Sequence, residues 1–121
     1  MRYLIYILAL AFSFQMSAQD PILQTDNEQI EARAVIITDK YDAQIEMDAK
    51  QTILFQKKVE EFLIREHKIK AQFKGKEQLD KLYNLRQAET MEMRNILTHP
   101  QFDLYVQLKP TIQPLGRVEK Q

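Results

Sequence analysis

What most limits the fold of this chain is how little interrupts it. Its 121 residues include two glycines, four prolines and no cysteine. Between Asp26 and Leu108 the sole glycine is Gly75 and the sole proline is Pro100. Glu, Gln, Lys, Leu and Ile dominate, a helix-forming composition. Strand-like alternation is not sustained anywhere. The expected fold is all-α: a signal peptide, then a small bundle of three to four helices built on a long antiparallel helical hairpin that turns at Gly75.

The apolar periodicity supplies the elements. A first helix is expected to start near Asp26 or Asn27, either of which can cap it, after a non-helical Asp20–Thr25. Its stripe is Ile30, Ala34, Ile37 and Tyr41, and it ends around Gln44 to Met47. A second helix, from about Ala49 to Phe73, carries Phe55, Val59, Phe62, Ile69 and Phe73, widened by Leu54 and Leu63. At ~1.5 Å per residue it is roughly 37 Å long. Gly75 follows as terminator. A third helix over about Lys76 to Ile96 aligns Leu79, Leu82, Tyr83, Met93 and Leu97. A last helix, about His99 to Leu108, carries Phe102, Tyr105 and Val106, and Pro110 is expected to stop it. The domain boundaries expected are 1–18 for the signal peptide, 19–109 for the helical domain and 110–121 for an extended tail.

Folding back at Gly75 pairs residues whose numbers sum to about 152. This register sets Phe73 against Leu79, Ile69 against Tyr83 and Glu66 against Arg86. Each of these two charges interrupts the apolar stripe of its own helix. A partly buried ion pair between Glu66 and Arg86 is therefore expected at the seam.

The N-terminus reads as an export tag. Arg2 precedes the apolar run Tyr3–Phe12, and the small, polar stretch Ser13–Gln19 follows, with cleavage expected after Ala18. The run is well short of the roughly 20 residues that span a bilayer, so no transmembrane segment is expected in the mature chain. The tag is expected to place the mature chain outside the cytoplasm. Of the 17 basic residues one, Arg2, lies in the tag, so the mature segment carries 16 basic and 17 acidic residues. That balance argues against nucleic acid as partner. Without cysteine there is no disulfide, thiol nucleophile or thiolate metal site.

Enzymatic chemistry finds no support. The two serines, Ser13 and Ser17, lie in the tag, and no Gly-rich phosphate loop or nucleophile elbow exists. Glu60, Glu61 and Glu66 share one helix without a convergent partner pair. No cofactor is expected. His67, His99, Met91 and Met93 fit no metal-ligand spacing, Met93 reading as core and Met91 as surface. Lys57, Lys58, Arg65, Lys68, Lys70, Lys74, Lys76 and Lys81 make the hairpin tip locally basic, suited to acidic clients or anionic head groups. The plainer reading is a solvated face with pairs such as Glu61–Arg65.

The strongest local signal is Leu97-Thr98-His99-Pro100-Gln101-Phe102. Thr98 and Gln101 have the spacing of a capping box, and Leu97 and Phe102 that of a hydrophobic staple. Pro100 in the first turn costs little, although it biases His99 away from helical geometry. Fifty residues earlier Met47-Asp48-Ala49-Lys50-Gln51 is a weaker copy.

With Leu97-Thr98-x-x-Gln101, the chain resembles the Spy/CpxP-like periplasmic proteins and their LTxxQ signature. Met47-Asp48-x-x-Gln51 looks like a degenerate first copy. The resemblance loosely covers residues 27–109. It implies long hairpin helices, often in a thin curved homodimer. It also implies a non-enzymatic role: ATP-independent chaperoning of unfolded envelope proteins, or modulation of an envelope-stress sensor. Thr98, Gln101, Asp48 and Gln51 would be structural caps. The expected partners are unfolded or partly folded envelope proteins. The alternative is one extracytoplasmic sensor domain, bound by a regulatory interaction protein.

Overall fold

The computed structural model describes residues 21–115, and the side chains of 27–115. The expected signal peptide lies outside the described residues, as does the tail from residue 116. The described chain is four helices without a strand: α1 (Pro21–Ile45), α2 (Ala49–Gln72), α3 (Gly75–Met93) and α4 (His99–Ile112). None is long and apolar enough to cross a membrane.

Successive helices run antiparallel. The α1–α2 and α3–α4 turns sit at one end, and the Gly75 turn at the other. Helix α1 packs against α2, α2 against α3, and α4 returns along α1. Near the cap end the core closes on three rings. Tyr41, Phe55 and Tyr105 are fully buried, one from each of α1, α2 and α4. Their centroids are 5.2 Å (Tyr41–Phe55), 5.0 Å (Tyr41–Tyr105) and 5.7 Å (Phe55–Tyr105) apart. Aromatic contacts of this kind contribute ~0.5–1.5 kcal/mol beyond area burial. Ala34, Ile37, Ile45, Val59, Leu63, Met93 and Leu97 complete the cluster.

Several boundaries differ from expectation. Helix α1 begins at Pro21, so 21–25 is helical. Proline is well placed there, because its missing N–H would be unpaired in the first turn anyway. Helix α3 ends at Met93, where Asn95 N–H bonds Glu92 O and Ile96 N–H bonds Met93 O, the tighter i to i−3 pattern. Pro100 does not delay α4, which starts at His99 with Thr98 as cap. Nor does Pro110 stop it. The helix continues to Ile112, and the extended tail therefore starts three residues later than expected. Side-chain anchors on either side of the proline, Lys109 and Gln113, hold this turn in place, and tertiary bonds outweigh the backbone bond that Pro110 removes.

Faces differ too. Leu54, Tyr83 and Val106, assigned to apolar stripes, are exposed. Leu85, unassigned, is buried. Met93 is buried and Met91 exposed. Gly75 has φ +60°, a left-handed conformation that favours glycine, and it opens α3 directly after the two-residue turn Phe73-Lys74.

Candidate functional site

Two constellations stand out, one at each level of the bundle. At the cap end, Asp48 and Thr98 each begin a helix in extended backbone geometry. Gln51 N–H donates to Asp48 Oδ1 at 2.7 Å, and Asp48 N–H donates to Gln51 Oε1 at 3.0 Å. Gln101 N–H donates to Thr98 Oγ1 at 3.4 Å, and Thr98 N–H donates to Gln101 Oε1 at 2.9 Å. Both are complete capping boxes, each satisfying two otherwise unpaired helix N–H groups.

The boxes are also joined to each other. Gln51 Nε2 donates to Gln101 Oε1 at 2.6 Å, and Gln101 Nε2 donates to Gln51 Oε1 at 3.2 Å. Each amide spends its other proton on the opposite turn: Gln51 on Ile96 O at 3.1 Å, Gln101 on Glu46 O at 3.5 Å. Every partner has its counterpart 50 positions away: 46 and 96, 48 and 98, 51 and 101. The buried, touching Phe55 and Tyr105 keep the same offset. The cap end is thus a pseudo-two-fold junction. Glu46 takes φ +59° to place its carbonyl there, and Met47 N–H is held by Asp42 Oδ1 at 2.8 Å. Leu97 is buried and Met47 partly so, each packing beneath its own cap.

The second constellation is a buried charge seam between α2, α3 and α4. Glu66 Oε2 lies 3.2 Å from Arg86 NH2, where the hairpin register places them. The pair belongs to a longer chain of charges. Glu66 also meets Lys70 at 3.1 Å, and Arg86 meets Glu89 at 3.4 Å. Glu89, whose side chain is fully buried, faces Lys109 at 3.5 Å. Lys109 also donates to Arg86 O at 2.9 Å and to Thr90 Oγ1. All three ammonium protons are engaged. Beside the seam, Tyr41 Oη donates to Gln113 Oε1 at 2.8 Å, tying α1 to the residue after α4.

Burial sets the protonation of this seam. For Glu66 burial opposes ionisation, but the cations Arg86, Lys70 and Arg33 outweigh it and hold the carboxyl below its usual range. For Glu89 burial wins over Lys109 and Arg86, and its carboxyl is pushed up. Burial and the neighbouring Arg86 bring the Lys109 amine down to about 8, against the pull of Glu89. Burial raises the Tyr41 and Tyr105 hydroxyls, with Glu89 adding to the effect.

Glu89 and Lys109 were not singled out from the sequence, yet a signal existed. Leu82, Leu85, Glu89 and Met93 form one helical stripe, as do Phe102, Tyr105 and Lys109. A charge in a core position demands a partner, and these two are each other's.

Two clefts flank the seam. One of about 190 Å³ lies between α1 and α2, with Arg33, Glu66, His67 and Lys70 in its wall. The other, about 310 Å³, opens between α3 and α4 over Arg86 and Lys109. His67 and His99 are both exposed and stand on different helices, His99 3.8 Å from Asp103. Among the described residues no group of three or more His, Asp or Glu side chains is placed to hold a metal ion. Arg65 does not pair with Glu61; it lies over the Phe62 ring at 4.6 Å, and Glu61 pairs with Lys58 at 3.0 Å. No family model, no curated protein and no solved structure matches this chain.

Proposed function

We propose that the chain is an exported, non-enzymatic protein of the Spy/CpxP-like kind, an ATP-independent holder of unfolded envelope proteins. The observation that carries this reading is the cap end. Asp48–Gln51 and Thr98–Gln101 occupy equivalent places and bond to each other, which supports treating them as two copies of one motif.

The surface suits the role. Val35, Ile36, Ile53, Leu54, Tyr83, Met91 and Val106 are large apolar side chains left exposed, with at least one on each of the four helices. Dispersed apolar contacts framed by Lys and Glu hold a mobile chain weakly and release it without a nucleotide. A homodimer would extend that surface.

The test is aggregation of a model client in the absence of ATP. Suppression at stoichiometric amounts supports the reading. Failure to suppress at several-fold molar excess, with a single stoichiometric partner recovered from envelope extract, favours instead a regulator of one extracytoplasmic sensor domain.

A further inference from the structure

We infer that the outward face of α2 pairs with the same face of a second copy of this chain, antiparallel about a two-fold axis. The inference does not depend on client binding.

Ile53, Lys57, Glu60 and Ile64 follow one another at spacings of four, three and four residues, those of a coiled-coil seam. At ~100° per residue they fall within about 60° of one another, on the side of α2 away from its buried Phe55, Val59, Phe62 and Glu66. The face is open. Ile53 is 57% exposed and Lys57 is exposed, while Glu60 and Ile64 are half-buried in the wall of a shallow cleft shared with α1.

The order of these four residues is self-complementary, as a two-fold interface requires. An antiparallel copy can pair residues whose numbers sum to 117. Ile53 then meets Ile64 of the second copy, and Lys57 meets its Glu60. By symmetry Glu60 meets its Lys57 and Ile64 its Ile53. Sliding by three residues either way sets Lys57 against Lys57 or Glu60 against Glu60. The charges therefore select one register, by attraction in it and repulsion beside it.

Within a single copy these charges are unspent. The neighbouring line of α2 is engaged: Lys58 pairs with Glu61 at 3.0 Å and with Glu92 of α3 at 3.4 Å, and Arg65 lies over the Phe62 ring. Lys57 and Glu60, although one turn apart, form no ion pair among the described residues. The cleft beside Glu60 and Ile64 is also lined by Asn27, Glu28 and Glu31, which makes three carboxylates and no cation. In the stated register Lys57 of the second copy arrives at this cleft and offsets that excess. Pairing also removes the exposed Ile53 of each copy from water.

The experiment is sedimentation equilibrium of the full mature chain at up to roughly 1 mM. The parent is compared with Lys57→Glu, with Glu60→Lys and with an equimolar mixture of these two variants. Both changes lie on the outward face, and circular dichroism checks that the helices persist. The parent should form a reversible dimer. Each single variant should associate at least about tenfold more weakly, because two attractive contacts become two repulsive ones. The mixture should recover the parent's association as a heterodimer, since one chain then carries only carboxylates at the two positions and the other only ammonium groups. A parent that stays monomeric, a dimer indifferent to both reversals, or a mixture no tighter than the single variants would each overturn the inference. The readout is mass, so the outcome is separate from suppression of client aggregation.

Discussion

Gln51 and Gln101 hydrogen-bond to each other in both directions, each side-chain amide donating to the other's oxygen while that oxygen also caps its own helix. Two local motifs, 50 residues apart, therefore become one tertiary joint. An amide is the side chain suited to this, because its oxygen accepts two bonds and its nitrogen donates two. Glutamate would set two carboxylates face to face.

Replacing either glutamine by alanine should lower stability by about 1–2 kcal/mol, the cost of a lost cap together with an orphaned amide. The double variant should cost less than the sum of the two singles, with a coupling of ~0.5–3 kcal/mol, since each single strands the other's amide. Urea denaturation of the four-member cycle measures it. Strict additivity would mean that the two boxes act separately.

Arg86→Ala should be among the most damaging single changes, at about 3–5 kcal/mol, because it removes the cation that Glu66 and Glu89 share and leaves each buried carboxyl with one lysine. The double change Glu66→Met with Arg86→Met should be milder, leaving Glu89 against Lys109 alone and filling the seam with apolar volume. Thermal melts of both proteins decide the order; a double variant less stable than Arg86→Ala would contradict it.

Stability should rise with pH above about 8. The native Lys109 amine titrates at about 8, against ~10.4 for an unperturbed lysine. Between these values the unfolded chain holds a proton that the native chain has lost, so raising pH favours the native state. Urea midpoints at pH ~7.5 and ~9.5 should therefore increase for the parent protein relative to Lys109→Met. Parallel behaviour of the two proteins would show that Lys109 is not depressed.

Gly75→Ala should cost ~1–2 kcal/mol, the penalty for an L residue in the left-handed region. No steric cost adds to it, because a Cβ there meets nothing within 4 Å. Gly75→Asn, a residue that tolerates this conformation, should lose less. Differential scanning calorimetry separates the two, and equal losses would point to a role for glycine beyond its backbone.

The seam illustrates how far sequence alone reaches. Glu66–Arg86 was legible because a single turn fixes the register of two long neighbours, so sequence arithmetic becomes geometry. Glu89–Lys109 was not read, although both residues stand in apolar stripes, because α4 returns along α1 and does not pack along α3, so the short turn between α3 and α4 sets no register for the pair. Tyr83, Leu54 and Val106 fail in the opposite sense. Each has the spacing of a core residue, but none of the four described helices covers it. The helix past Pro110 was also illegible locally, since what maintains it is Lys109 bonded to α3 and Gln113 bonded to Tyr41 of α1.

By itself the sequence determined where the capped helices begin and that the second and third fold on each other. Asp48, Thr98 and the glutamines three residues on act within one turn, and Gly75 acts through its own φ, so no distant partner is needed. Tertiary structure alone decided which stripes became core, that the two caps bond across the bundle, and that Lys109 is buried beside Arg86. Those outcomes depend on which helix lies opposite which, and only the closed fold removes the water that would otherwise screen such charges.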